Sequence, residues 1–185
     1  MTTDPTPAMR FAYADPPYPG QSLKHYASHP DYAGEVDHAK LIADLRGFDG
    51  WVLHTSSTAL AGVLAACPAG VRVGAWVKPF AAFKRNVSPA YAWEPVIFSP
   101  GRKPVTPSPT GITMRDWCSE SITLRRGLTG AKPERVCWWA FEIAGCRPGD
   151  SLDDLFPGSG AVGRAWESWC GLLTQRPERA GVRDA

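Results

Sequence analysis

The chain has 185 residues, 44% of them apolar, and a net charge of +2. That length and composition fit one domain with a substantial core. They exclude a polycation that binds by bulk charge alone, and no apolar run is long enough to cross a bilayer. The charge is uneven: between Lys78 and Arg135 ten Lys/Arg face four Asp/Glu, a local +6 that leaves −4 elsewhere. Such a basic middle fits either a polyanionic partner or a solvated surface. The five cysteines, Cys67, Cys118, Cys137, Cys146 and Cys170, are odd in number and form no CxxC or CxxH pair. This argues against a zinc knuckle and a disulfide framework, and no metal is expected. Met1 to Met9 lacks the basic start and apolar core of a secretory signal, so a reduced cytoplasm is the expected compartment.

Residues 1–9 are Pro/Thr-rich and read as a tail. "RFAYAD" reads as a strand ending at Asp15, and "QSLKHYASHPDYAGE" as a loop. In "VDHAKLIADLRGF", His38, Leu41, Ile42 and Leu45 recur at i, i+3, i+4 and i+7, so a helix is expected, stopped by Gly47. "GWVLHTS" is a second strand. "STALAGVLAACPAG" is a helix ended by Pro68 and Gly70, and "VRVGAWVK" and "EPVIFSP" are strands. Gly101 to Gly111 is a proline-rich loop. "KPERVCWWAFEIAG" is a helix with Val136, Trp139, Ala140 and Ile143 on one face, and with Cys137 and Cys146 serving as small hydrophobes. "DSLDDLF" is a strand, "PGSGAVG" a glycine-rich turn and "RAWESWCGLLTQ" a final helix. Strands alternating with helices mean an α/β layered domain with a mostly parallel sheet, and residues 10–175 form one domain between two tails.

In such sheets ligands bind beyond the carboxyl ends of the strands. Two turns stand there: Asp15-Pro16-Pro17-Tyr18, and "DLFPGSG" from Asp154 to Gly160. A glycine-rich strand-to-helix turn lets a ligand approach backbone amides, although many sheets have one without a ligand. It is not a phosphate-binding loop, because no Lys-Ser or Lys-Thr follows Gly160. Consecutive prolines fix a rigid turn, so Asp15 and the Pro16 carbonyl present two preset acceptors. Two acceptors suit an NH2 group, and the ring of Tyr18 suits a flat base stacked on it. The plainer alternative is a stiff loop with a capping aspartate.

"ADPPY", then "KP", then "DLFPGSG", in that order, resemble the S-adenosylmethionine-dependent amino-methyltransferases of nucleic-acid bases, especially adenine, in the permuted arrangement where the catalytic motif precedes the glycine motif. "DYAGEVDHAKLIADL" is similar to the Asp-His segment that often follows the catalytic motif there. The resemblance spans residues 11 to about 170 and implies a Rossmann-like class I methyltransferase fold, a three-layer sandwich. It implies that Asp15 and the Pro16 carbonyl hold the two hydrogens of the target amine, with Pro17 stiffening the turn, and that Tyr18 stacks on the flipped base. Asp154, Phe156, Gly158, Ser159 and Gly160 would bind S-adenosylmethionine. Lys132 and Pro133 would open a helix beside the cofactor carboxylate, unless Lys132 is a solvated cap residue.

His38 follows Asp37 as in that family and is either a packing residue or a substrate-orienting one, while Asp37 reads as a helix cap. Lys78, Lys84 and Arg85, interleaved with Trp76 and Trp93, are candidates to grip a nucleotide backbone, although both tryptophans read better as core. The family usually continues past the glycine motif to a strand ending in a ribose-binding acid. Here only Glu167, Glu178 and Asp184 follow. The sheet is therefore expected to be truncated by a strand or two, with Phe156 near an edge, so that tight cofactor binding calls for another subunit, as in a homo-oligomer, or an unfamiliar contact to complete the pocket. The roughly thirty residues from Ser99 to Gly130 are too few for a target-recognition domain, so sequence-specific duplex readout is expected from a partner, unless the substrate is single-stranded, RNA or a free nucleotide-like molecule. The expected activity is methylation of the exocyclic amine of adenine, in DNA. The alternatives are the same chemistry on RNA or a small aromatic amine, and a non-catalytic scaffold.

Overall fold

A computed structural model describes residues 7–18, 36–79, 87–104, 108, 110, 115–122 and 131–175. The stretch read as a loop after the proline turn lies outside them. The elements follow as β1 (Arg10–Ala14), α1 (His38–Leu45), β2 (Gly50–His54), α2 (Leu60–Ala66), β3 (Arg72–Val77), β4 (Trp93–Ser99), β5 (Trp117–Ser119), α3 (Glu134–Ala144), β6 (Ser151–Asp154) and α4 (Ala161–Thr174). Each strand and helix read from the sequence is present. The reading missed β5, whose three residues are too few to show a period.

The six strands form one sheet in the order β5-β3-β4-β2-β1-β6. β1 pairs in parallel with β2 and β6, and β3 with β5, while β4 runs antiparallel to both β2 and β3. Five strands therefore point one way and β4 alone the other. The carboxyl ends of β1, β2, β3 and β6 and the start of β4 all meet at one end of the sheet. Among the described residues β6 forms an edge, as expected of the strand that leads into the glycine turn.

Both faces of the sheet are covered. In β1, Phe11 and Tyr13 join the layer of α3 and α4, with Val136, Trp139, Phe141, Val162 and Trp169. Ala12 and Ala14 turn the other way, toward Leu41, Ile42 and Leu45 of α1 and Val63 of α2. A strand buried on both sides must be apolar throughout, which is why "FAYA" shows no polar alternation. Asp37 caps α1, accepting from the Lys40 amide at 3.0 Å. Gly145 closes α3 at φ 83°, letting the Cys146 amide reach back to the Phe141 carbonyl. At the foot of β6, Asp150 receives the Met9 and Arg147 amides and the Arg102 guanidinium, tying the loop after β4 to β1 and β6. Cys137 and Cys146 are buried as small hydrophobes.

Candidate active site

β1 delivers its last residue, Ala14, into the core, and the chain then turns at Asp15-Pro16-Pro17-Tyr18, with Pro16 buried and the other three half-buried. β6 lies beside β1 with Tyr13 opposite Asp154, and the Leu155 amide donates to the Tyr13 carbonyl at 2.9 Å. The proline turn and the glycine turn thus leave adjacent parallel strands at the same end of the sheet. Of everything read from the sequence, this juxtaposition bears most directly on function.

Within the second turn, the Asp154 carboxylate accepts the Phe156 amide at 3.2 Å, a local bond that shapes the bend. Gly158 and Gly160 take positive φ, 42° and 70°, and Ser159 lies between them. Pro157, Gly158 and Ser159 are exposed. The Arg164 guanidinium returns to the Ser159 carbonyl at 3.0 Å, so the first turn of α4 braces the loop. Burial raises the Asp154 carboxyl above its ordinary value; the Phe156 amide works against this, and the nearby charge of Asp15 adds to it.

Behind Asp15 lies a set of buried polar side chains. Lys132, directly before the α3 cap Pro133, reaches Asp15 Oδ1 at 3.0 Å and Glu94 Oε1 at 2.7 Å, with its side chain 7% exposed. A solvated cap is therefore not its state. Glu94 Oε1 also meets His54 Nδ1 at 2.7 Å, and its Oε2 accepts from Lys78 Nζ at 2.9 Å. His54 Nε2 is 2.7 Å from the Tyr13 hydroxyl. The Tyr18 phenol lies within electrostatic reach of Lys132, Glu94 and Asp15. Lys78 also lies over the Trp76 ring, 4.3 Å from its centroid.

The charges balance: two carboxylates, Asp15 and Glu94, face two ammoniums, Lys132 and Lys78. Burial opposes ionisation of Glu94, but Lys132, His54 and Lys78 overcome it, so its carboxyl lies well below the usual range. Burial likewise opposes the charge on Lys132, yet Asp15 and Glu94 hold it well above the ordinary lysine value. Burial pushes the Tyr18 phenol up despite the lowering pull of Lys132, so it stays protonated. Asp15, His54 and Glu94 each bring one ligand atom within 4.8 Å of the others. The Lys132 ammonium bonds both carboxylates of that trio, so the positive charge there is a side chain.

Other residues singled out from the sequence fall elsewhere. His38 turns its Nδ1 back to the Val36 carbonyl at 2.9 Å, and its Nε2 is buried with no partner among the described residues. Lys84 and Arg85 lie outside the described residues, as do Glu178 and Asp184, and Glu167 is exposed on α4. Trp76 is core, 3% exposed, but Trp93 is not: at the open start of β4 it is 40% exposed, next to Tyr91 at 50%. The sequence reading missed Glu94, His54 and Tyr13. An acid inside the otherwise apolar run "WEPVIFS" was the available signal, since such a residue must find a buried partner.

No family model matches the chain, and no curated protein does. Among solved structures it is similar to the crystal structure of the M1.HpyAVI–SAM complex, with a TM-score of 0.54, 17% identity, and coverage of 88% of this chain and 79% of that one. At that identity the likeness is one of fold: a Rossmann-like, class I methyltransferase-type sandwich.

Proposed function

We propose that the protein is an S-adenosylmethionine-dependent methyltransferase that acts on the exocyclic amine of adenine in DNA. The observation that carries the reading is the placement of Asp15 and the Gly158–Gly160 bend at the carboxyl ends of two neighbouring parallel strands. Support also comes from the fold shared with a protein crystallised with SAM.

The residues fit that cofactor. Positive φ at Gly158 and Gly160 opens the bend to close backbone approach, and the amino end of α4 follows at once. Asp154, Phe156, Gly158, Ser159 and Gly160 would line its site. Bound S-adenosylmethionine supplies a methyl group on a sulfonium.

The rest is positioning by this chain. The lone pair of an aromatic amine is shared with its ring, so the amine attacks poorly. Asp15 accepts one amine hydrogen and the Pro16 carbonyl the other, which turns the lone pair out of the ring plane toward the cofactor side of the turn. One well-aimed group of this kind contributes roughly 3–4 kcal/mol. Pro16 and Pro17 keep both acceptors fixed before the base arrives. Tyr18, uncharged and half-buried beside Asp15, offers its ring as the face on which a flipped base stacks. Lys84 and Arg85 are the cations proposed to meet the nucleic-acid backbone; Lys78, the third candidate, is paired with Glu94 instead.

Titration calorimetry with S-adenosylmethionine, followed by methyl transfer to adenine-containing DNA, RNA and nucleosides, tests the proposal. Binding together with transfer to DNA adenine is expected. Transfer to RNA or to a free amine alone would move the substrate assignment. Absence of binding up to millimolar ligand, with or without DNA, would favour a scaffold. That second reading draws on the exposure of Glu167 and on the edge position of β6, which leave the cofactor ribose without an evident acid among the described residues.

A further inference from the structure

We propose that Lys132 is a positioning residue for Asp15, and that Glu94, backed by His54 and Tyr13, locks Lys132 in that task. The inference rests on the methyltransferase reading for its kinetic consequences, but not for its geometry.

The polar contacts behind the proline turn run a closed course. They leave β1 at the Tyr13 hydroxyl and cross to His54 at the end of β2. They pass to Glu94 near the start of β4 and on to Lys132, whose ion pair with Asp15 closes the course just past β1, two residues from where it began. Because β4 runs against its neighbours, its second residue stands level with the carboxyl ends of β1 and β2. Each joint is between 2.7 and 3.0 Å.

Glu94 has both oxygens engaged and a side chain 4% exposed, so it has no freedom to follow a wandering lysine. Lys132 is held in turn, donating to Glu94 and ion-paired with Asp15, with the Trp76 ring 5.3 Å away. A carboxylate on an elbow at the surface would otherwise rotate and be solvated. Here Oδ1 is fixed by the ammonium, and the carboxylate plane is set for the second oxygen to take an amine hydrogen. The balanced charges keep the buried group from carrying an unpaired ion. On this assignment Lys132 does not serve the cofactor carboxylate, because binding that anion would mean giving up Asp15 or Glu94.

Lys132→Met, Glu94→Gln and the double variant test it, with kcat, substrate KM and S-adenosylmethionine affinity read separately. Each single change is expected to lower kcat about ten- to hundredfold, with cofactor affinity within about threefold. The double variant is expected to be no worse than Lys132→Met, since the residues act along one chain. A tenfold or greater loss of cofactor affinity in Lys132→Met with kcat unchanged at saturation would overturn the proposal. So would multiplicative losses in the double variant.

If Glu94→Gln alone does not fold, the double variant, which removes one charge of each sign, carries the test. If that too fails, His54→Gln, which removes no carboxylate or ammonium, decides it, and an unchanged kcat there overturns the claim. Should the wild type transfer no methyl group to any substrate, the functional reading fails by itself. The positioning claim is then decided by urea unfolding of Asp15→Asn, Lys132→Met and their combination: coupling between the two supports it, and simple additivity overturns it.

Discussion

At the scale of single residues, a buried carboxylate is tolerated only when paired, and Glu94 is paired on both oxygens. Its folded carboxyl lies below the ordinary glutamate value of 4.5, so the stability it contributes is complete above that pH and is lost as pH falls through the folded value. Asp150 acts in the same sense: burial raises its carboxyl, but the Arg102 bond and the Met9 and Arg147 amides bring it below 3.8. We expect the urea midpoint to fall steeply below about pH 4, and the fall to be shallower in any folded variant that lacks the Glu94 charge. Asp15→Ala should abolish methyl transfer and leave cofactor affinity within a few-fold, as calorimetry and a transfer assay would show; an active variant would contradict the role given to Asp15. Asp15, the prolines and the glycine bend were legible because turn chemistry is written locally. Glu94 and His54 were not: their meaning depends on partners 40 residues apart in the chain. Trp93 was misread as core because a tryptophan in a strand usually is core, whereas this one occupies the strand's open first position.

At the scale of elements, periodicity identified four helices and five strands, and the caps set their limits. Gly145 shows how tightly one such limit is drawn. Its φ is 83°, and a Cβ there would lie 2.2 Å from the Arg102 carbonyl oxygen. Gly145→Ala should cost at least about 1–2 kcal/mol from the left-handed backbone alone. The midpoint of thermal unfolding should drop by at least about 2–4 °C. Gly160→Ala meets only the flexible Arg164 guanidinium, at 3.0 Å, besides its own strained φ of 70°. The expected outcome there is weaker cofactor binding in calorimetry with a smaller loss of melting temperature. The contrast would separate a glycine that closes a helix from one proposed to admit a ligand. β5 escaped the sequence reading because its order comes from β3, not from its own three residues.

At the scale of the whole molecule, the layer architecture could be foreseen from alternation, but the strand order could not. Nothing local in "EPVIFSP" says that β4 slots between β2 and β3 in reverse; that follows only from the hydrogen-bond ladders. Cysteine reactivity reports on the integrity of the packed layers. Burial pushes the thiols of Cys118 and Cys137 up to about 12, and Cys146 rises well above its ordinary value. At pH 8 a disulfide reagent should label the native protein slowly, and first at the half-buried Cys67 and Cys170. All five should react together once urea unfolds the chain; one fast phase of five in the native state would mean the α3–α4 layer opens readily.

The neighbouring placement of β1 and β6 sets a timetable for synthesis. The two bends are about 140 residues apart, as the Met9–Asp150 bond shows with its separation of 141. A nascent chain on the ribosome therefore carries its carboxylate elbow from the first moments but has no glycine wall to set beside it until residues 151–160 have emerged. Any ligand that needs both bends must wait for the end of translation, and closing so long a loop is slow.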